Sequence, residues 1–446
     1  MKLNKEYKLS HYNIYINTMY DDLYILYNTL TEGKALLKKD LLRDMKNSMD
    51  NIPNNILNEM KKCGIIVPID VKENRIFSVN HNKIKFSTKE CFLMIYTTYR
   101  CNMRCTYCYE DFLSNTKNIN KDLDFEMSDK IIKFIKKLTE ENGFKEINIL
   151  FFGGEPLLNQ DPIFYILREL TPWAKELNIN LSNGVTTNGT INLGQNIDKF
   201  SKQNTFFQFT LDGPEEIHNA RRPYISGEGT FSDIIENLRL CEKHGIDYGV
   251  RINIDKSNAR YIEDLFDYLK DEFNAEIKLK ISETVLPVEG DYILGCPWAA
   301  QCFMGQEPET LLALIDKARE KGFTVLIRPL RDWTFCEFLR EHSYIIDPFG
   351  DVYKCEGFVG MEEHKAGTIK DDGGLEKFFP MYDWVSINPI ETECRDCKLL
   401  PACGGGCPCL IYESKNRYHK GGCITFKKIH YAKIKYYLES EYPQLF

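Results

Sequence analysis

The sequence predicts an α/β protein built on a partial, six-stranded (β/α)6 barrel, with a small N-terminal unit before it and a cysteine-rich segment after it. Three observations carry that prediction. Between residues 92 and 281, short apolar runs alternate with segments of helical period, the pattern of strands joined by right-handed crossovers in a parallel sheet. Three of the sixteen cysteines crowd into 101–108, and ten more fall between 296 and 423. The chain has 446 residues, 43% of them hydrophobic, enough for two or three domains because single cores rarely outgrow about 250–300 residues.

The N-terminal elements come first. Residues 11–17 and 23–27 alternate as strands and meet at Asp21-Asp22, a hairpin. A Lys-rich helical stretch is expected from Gly33 to about Met49, and Ile56, Leu57 and Met60 mark a second helix. A short strand at 65–67 and a partner around Ile76-Phe77 complete a winged-helix-like unit, assigned to residues 1–82.

The barrel is assigned to residues 88–290. Its strands are expected at 92–96, 147–152, 181–186, 206–211, 248–254 and 277–281. Met127, Ile131, Ile135 and Leu138 recur at helical spacing, and residues 162–177 read as another helix. The informative loops all follow strands, and in such TIM-like folds ligands bind at the carboxyl ends of the strands. Beyond Gly290 the alternation fades. A helix is expected at 308–321, and the rest of 291–446 is rich in Cys, Gly and aromatic residues, a segment that needs bound metal to hold its shape.

Charge and hydropathy exclude other classes. Net charge is −8, from 57 basic and 65 acidic residues, with no long basic block for a nucleic-acid backbone. No apolar run reaches the length of a membrane span, and the Lys-rich start has no signal-peptide core behind it. The expectation is a soluble, cytoplasmic protein with neither nucleic acid nor membrane as partner. In a long chain of that kind, clustered cysteines point to metal or redox chemistry rather than a disulfide framework.

Cys101, Cys105 and Cys108 follow the first barrel strand at Cys-x3-Cys-x2-Cys spacing. Three thiolates on one loop hold three corners of a cubane cluster and leave the fourth iron open, as a catalytic site requires. A zinc site would pair two Cys-x2-Cys arms, and no second arm lies nearby. The loop resembles that of the radical S-adenosylmethionine (SAM) enzymes, including the aromatic Tyr107 before the third cysteine. The resemblance implies that the open iron chelates the methionyl group of SAM. One electron then yields a 5′-deoxyadenosyl radical. Tyr107 would lie beside the adenine. Gly153-Gly154-Glu155-Pro156 ends the second strand, as the family's Gly-Gly-Glu-Pro motif does; its glycines admit a ligand to the backbone, and its carboxylate would accept the methionyl ammonium. Thr210, at the end of the fourth strand, and Arg251 and Asn253, on the fifth, are further candidates for the cofactor's polar groups.

The C-terminal spacing is stricter. Cys336-x13-Gly350-x4-Cys355 precedes Cys394-x2-Cys397-x5-Cys403-x3-Cys407 and then Cys423. This is similar to the seven-cysteine SPASM extension of peptide- and sulfatase-maturating radical enzymes. The resemblance covers roughly residues 88–430. By its ligand scheme, Cys394, Cys397, Cys403 and Cys423 hold one auxiliary [4Fe–4S] cluster, while Cys336, Cys355 and Cys407 hold another. With the cluster of the first loop, that makes three. Sulfatase-maturating enzymes carry a further cysteine where this chain has Leu330; Cys296 or Cys302 would replace it, or the iron stays open for a substrate thiolate. Cys409 is read as a bystander, and Cys63, Cys91 and Cys241 as small buried hydrophobes.

The function this resemblance implies is peptide maturation. The radical abstracts hydrogen from a ribosomally made precursor peptide, and a crosslink follows, foremost a Cys thioether. The N-terminal unit resembles elements that take up a leader peptide as an added strand, and Tyr12, Tyr15, Tyr24 and Tyr27 supply amphipathic contacts. A one-electron reductant such as flavodoxin or ferredoxin is implied. Alternatives are formylglycine formation on sulfatases, carbon–carbon crosslinking and, in a different class, a non-catalytic iron–sulfur electron carrier or redox sensor. No catalytic general base is assigned.

Overall fold

A computed structural model describes residues 6–47, 49, 52–110, 120–273, 277–283, 307–326, 330–409, 412 and 426–446. Contacts divide the chain into two compact units. One comprises Met1–Lys85, Arg328–Cys336 and Ile387–Phe446; the other comprises Phe86–Ile327 and Glu337–Ser386.

In the first unit, strand β1 (Tyr7–Leu9) precedes an antiparallel meander of β2 (Asn13–Asn17), β3 (Leu23–Asn28) and β4 (Lys34–Lys38), and β1 itself pairs with β5 (Ile66–Pro68). Two expectations are corrected here. The stretch after Gly33 opens with β4 and becomes helical only at Lys39–Asn47, because Leu36 and Leu37 alternate exposed and buried as strand residues do. Ile76-Phe77 lies in the helix Glu73–Lys85, where Phe77, His81 and Lys85 recur four apart and are buried together.

Both faces of the meander are covered within this unit. Leu26 and Leu37 pack with Leu42, Met45, Leu57 and Met60 of the helices Lys39–Asn47 and Asn54–Lys62. Ile14, Ile16, Ile25 and Tyr27 pack against Leu399, Ala402, Ile434 and Leu438 from the far end of the chain. Hydrogen bonds bind the two ends: Thr29 Oγ1 donates to the Lys398 carbonyl at 2.5 Å, and Lys34 Nζ to Tyr437 Oη at 2.7 Å.

The second unit is the expected partial barrel. β6 (Glu90–Thr98), β7 (Glu146–Gly153), β8 (Asn180–Thr186), β9 (Phe206–Thr210), β10 (Tyr248–Ile254) and β11 (Lys278–Glu283) lie side by side in chain order, all parallel. β12 (Thr324–Val325) extends the sheet beyond β11. On the other side β13 (Ser343–Ile346) pairs parallel with β6, and β14 (Asp351–Tyr353), β15 (Gly367–Ile369) and β16 (Leu375–Lys377) continue antiparallel. The crossover helix Phe125–Asn142 starts where Asp124 accepts from the Met127 N–H at 2.8 Å and stops at left-handed Gly143. Gly350 shapes the β13–β14 hairpin: its φ is +83°, and an added Cβ would stand 2.6 Å from Met127 Sδ.

Candidate active site

The chemistry-bearing loops of the barrel gather at the carboxyl ends of β6 to β10. β6 runs out at Thr98, and the loop behind it carries Cys101, Cys105 and Cys108, each half-buried and in no disulfide. Two backbone bonds staple this loop to the segment after the helix Glu215–Arg221: Arg104 N–H to the Pro223 carbonyl and Thr106 N–H to the Arg221 carbonyl, both 2.9 Å. Cys105 therefore sits opposite Arg222.

The three thiols lie within electrostatic reach of one another. Burial pushes the Cys101 thiol up to about 12, with the neighbouring Cys105 adding to the rise, and holds Cys108 well above the ordinary thiol range. For Cys105 burial also raises the thiol, while the Arg222 guanidinium pulls it back. Such thiols ionise when a bound metal supplies the compensating charge, so this soft, convergent donor set fits a cluster held by three thiolates.

Tyr107 is the strut of the loop. Its hydroxyl donates to Asp212 Oδ2, and accepts from Arg222 at 2.8 Å and from Asn253 Nδ2 at 3.0 Å. The Arg221 guanidinium lies 5.0 Å from the centre of its ring. Asp212, fully buried just past β9, also accepts from the Asn253 N–H at 3.0 Å and pairs with Arg221 at 3.5 Å. Arg221 in turn reaches both oxygens of Asp255 at 2.9 and 2.8 Å. From sequence Asp212-Gly213 reads as a turn after the fourth strand, and Arg221 and Arg222 fall in no motif. The available signal was two adjacent arginines nine and ten residues after an acid that ends a strand.

The glycines of the second motif lie close against the chain's own backbone. Gly153 has φ +126°, and a Cβ there would stand 2.2 Å from the Thr98 carbonyl oxygen; at Gly154 it would stand 2.5 Å from that of Arg100. Glu155, the acid of the same motif, is buried. Its carboxylate has no exposed surface and is taken up by the Leu157 N–H at 3.0 Å, the Thr187 hydroxyl at 2.7 Å and the Asn188 N–H at 2.7 Å. Burial raises it to about 7 against these bonds. It ties β7 to the end of β8, with two of these bonds on Oε1 and one on Oε2. Asn188, so positioned, points its amide at Asn102 Oδ1 at 2.9 Å and at Cys101 Sγ at 3.8 Å.

Thr210 closes β9 as a buried residue in register with Arg251. Arg251 Nε donates to Asn253 Oδ1 at 2.9 Å, which links both fifth-strand candidates to the Tyr107 hydroxyl. All the barrel candidates thus share one edge of one sheet.

Residues 95–269 match the family model of the Radical SAM superfamily, a span that takes in the cysteine loop and this whole network. This part of the chain is a radical SAM domain. Among curated relatives, the cysteine-type anaerobic sulfatase-maturating enzyme of Clostridium perfringens (strain ATCC 13124) is 25% identical over 344 residues, 69% of this chain and 85% of the relative. The serine-type enzyme of Bacteroides thetaiotaomicron is 23% identical over 72% of this chain and 81% of its own. Among solved structures, native anSMEcpe with bound AdoMet and Cp18Cys peptide superposes with a TM-score of 0.57 at 20% identity, covering 80% of this chain and 98% of that one. Streptococcus suis SuiB bound to precursor peptide SuiA gives 0.55 at 15% identity, covering 94% and 99%. The radical SAM fold accounts for the sheet order and for a cofactor edge at the strand ends.

The C-terminal cysteines divide between the units. Cys355, after β14, belongs with the barrel; Cys336, Cys394, Cys397, Cys403 and Cys407 belong to the first unit, and Cys423 lies outside the described residues, as do Cys296 and Cys302. In the first unit Thr392 Oγ1 caps the Cys394 N–H at 3.1 Å, and the Cys397 N–H returns to the Cys394 carbonyl at 3.0 Å. Gly404 and Gly405 then reverse the chain at φ +65° and +101°. An added Cβ on Gly404 would stand 2.5 Å from the Phe335 nitrogen, so this turn lies against the segment that carries Cys336. Among the described residues no three His, Cys, Asp or Glu side chains converge on a single-ion site, a demand that a cluster with one iron per thiolate does not make. Cys91 and Cys241 are buried in the barrel core, whereas Cys63 is half-buried at a helix end.

Proposed function

We propose that this enzyme is a peptide maturase that installs a Cys thioether in a ribosomally made precursor peptide. The observation that carries the reading is the three-thiol loop, held at the carboxyl edge of the barrel by Tyr107, Asp212 and the paired backbone of Arg221 and Pro223. When bound there, a [4Fe–4S] cluster and SAM supply hydrogen abstraction by a 5′-deoxyadenosyl radical.

The chain's own residues do the rest. Cys101, Cys105 and Cys108 hold the cluster. Gly153 and Gly154 keep side chains away from the backbone at the cofactor edge, and Thr210, Arg251 and Asn253 meet the cofactor's carboxylate and ribose. The C-terminal SPASM-type cysteines, Cys394, Cys397 and Cys403 with Cys423 among them, hold the auxiliary clusters. Residues 1–82 take up the leader peptide.

A peptide substrate is supported by the sulfatase-maturating relatives and by the fold shared with SuiB, which was solved with its precursor peptide. The choice of a thioether rests on Leu330, which packs against the apolar cluster of Ile14 and Ile434 where sulfatase-maturating enzymes carry a cysteine. Sulfatase maturation is the second reading, favoured by the 25% identity over 69% of the chain.

Mass spectrometry after anaerobic reaction separates them. Cys-containing precursor peptides should lose about two hydrogens per link, resist reduction and no longer alkylate at the linked thiol. The same loss with every thiol still alkylatable would mean another crosslink. Formylglycine in a sulfatase peptide, with precursor peptides unchanged, would overturn the thioether reading.

A further inference from the structure

In the first unit the Tyr12 and Tyr27 hydroxyls are both buried without a hydrogen-bond partner among the described residues, and that of Tyr12 belongs to a cluster that includes two cysteines. Tyr12, just before β2, is fully buried, and its phenolic oxygen has no hydrogen-bond partner among the described residues. Native proteins seldom leave a buried hydroxyl in that state, because desolvation is uncompensated. The surroundings narrow the choice of partner. Tyr12 packs with Phe77 and Leu400 and against Trp333, all apolar toward it, and the cluster is completed by Cys394 and Cys397. Glu73, a nearby carboxylate, is already taken by the Ser10 hydroxyl and by the His11 N–H at 2.9 Å. Asp396, a second carboxylate in electrostatic reach, is solvent-exposed, and Cys397 is the sulfur in reach of the phenol.

We infer that Tyr12 donates a hydrogen bond to the Cys397 sulfur in its iron-bound thiolate form. The inference rests on the reading of Cys394, Cys397 and Cys403 as cluster ligands. A phenol is protonated at neutral pH and donates one hydrogen; a metal-bound thiolate is an anionic acceptor. Hydrogen bonds to cluster sulfurs favour the more negative, reduced state and so raise the reduction potential. Tyr12 thereby makes the N-terminal element part of the auxiliary centre's electronic environment. It is a positioning residue, not a catalytic one.

The test uses the full chain, reconstituted anaerobically, with EPR-monitored redox titration. The spectral component lost in Cys397→Ser identifies the site. Tyr12→Phe keeps the packing and is expected to retain the iron while shifting that component to a lower midpoint potential with altered g values. Electron–nuclear double resonance in deuterium oxide should show an exchangeable deuteron on the component in the wild type that is missing in Tyr12→Phe. An unchanged potential and the same deuteron coupling in both proteins would overturn the hydrogen bond. Should Tyr12→Phe fail to fold, a wild-type component with no exchangeable deuteron overturns it equally. If Cys397→Ser loses neither iron nor a component, the cluster reading fails, and the hydrogen bond falls with it.

Discussion

Tyr107 and Asp212 lie 105 residues apart in sequence, yet the Tyr107 hydroxyl donates directly to the Asp212 carboxylate. That bond joins the cysteine loop after β6 to the turn after β9. It sets the loop against a buried, charge-balanced platform of Arg221, Asp255 and Asn253. Tyr107→Phe removes the donor and leaves Arg222 and Asn253 facing a lost oxygen. We expect a loss of about 1–3 kcal/mol in denaturant unfolding and a reduced yield of 5′-deoxyadenosine, with the cysteine thiols still competent to load iron.

Replacing Cys101, Cys105 and Cys108 together by Ala should abolish 5′-deoxyadenosine formation while auxiliary iron stays bound. Iron per chain and cofactor cleavage, measured on the same preparation, check this. Loss of all iron would show that the sites do not load independently.

Gly154→Ala drives a Cβ to 2.5 Å from the Arg100 carbonyl oxygen, one residue before the first cysteine of the loop. Backbone cannot give way as a side-chain tip can. The expected outcome is iron content reduced by one cluster, with the visible spectrum of the auxiliary centres retained.

His81 gives the first unit a pH dependence. Its ring is buried, with Nδ1 2.7 Å from the Trp333 carbonyl, and burial lowers its pKa to about 4. The unfolded chain binds a proton at about pH 6.5, which the folded chain refuses until about pH 4. Stability from this group is therefore complete above about 6.5 and falls as pH drops toward about 4, by up to about 3 kcal/mol. Thermal unfolding across that window should show the loss, and His81→Phe should flatten it.

Deleting residues 1–85 tests whether the N-terminal element is detachable. It would strip Ile14, Ile16, Ile25 and Tyr27 from Leu399, Ala402, Ile434 and Leu438, and Tyr12 from Cys397. The expected product is aggregation-prone and poor in auxiliary iron, as seen by size-exclusion chromatography and iron analysis. A soluble, fully loaded truncation would show that the shared core is dispensable.

The barrel was legible because each of its strands is a compact apolar run and each cysteine-bearing loop has fixed spacing. Both are local signals. Gly153 and Gly154 were readable for the same reason. The misread elements were those decided by distant packing: β4 is a strand because Leu37 is buried beneath helices later in the chain, and the helix Glu73–Lys85 hides a run that resembles a strand at Ile76-Phe77. The burial of Glu155 was not readable, since its three donors come from Leu157, Thr187 and Asn188. The pairing of Asp212 with Tyr107 and Arg221 likewise exists only once three loops meet.

The position of β6 carries a last consequence. The strand that leads into the cysteine loop is bonded on one side to β7 and on the other to β13, whose residues follow about 250 positions later. On the ribosome, β6 therefore emerges with a neighbour for one edge only. Its second edge stays an unpaired row of amides and carbonyls until Ser343–Ile346 has been made. The pairing of β6 on both sides is therefore completed late in synthesis.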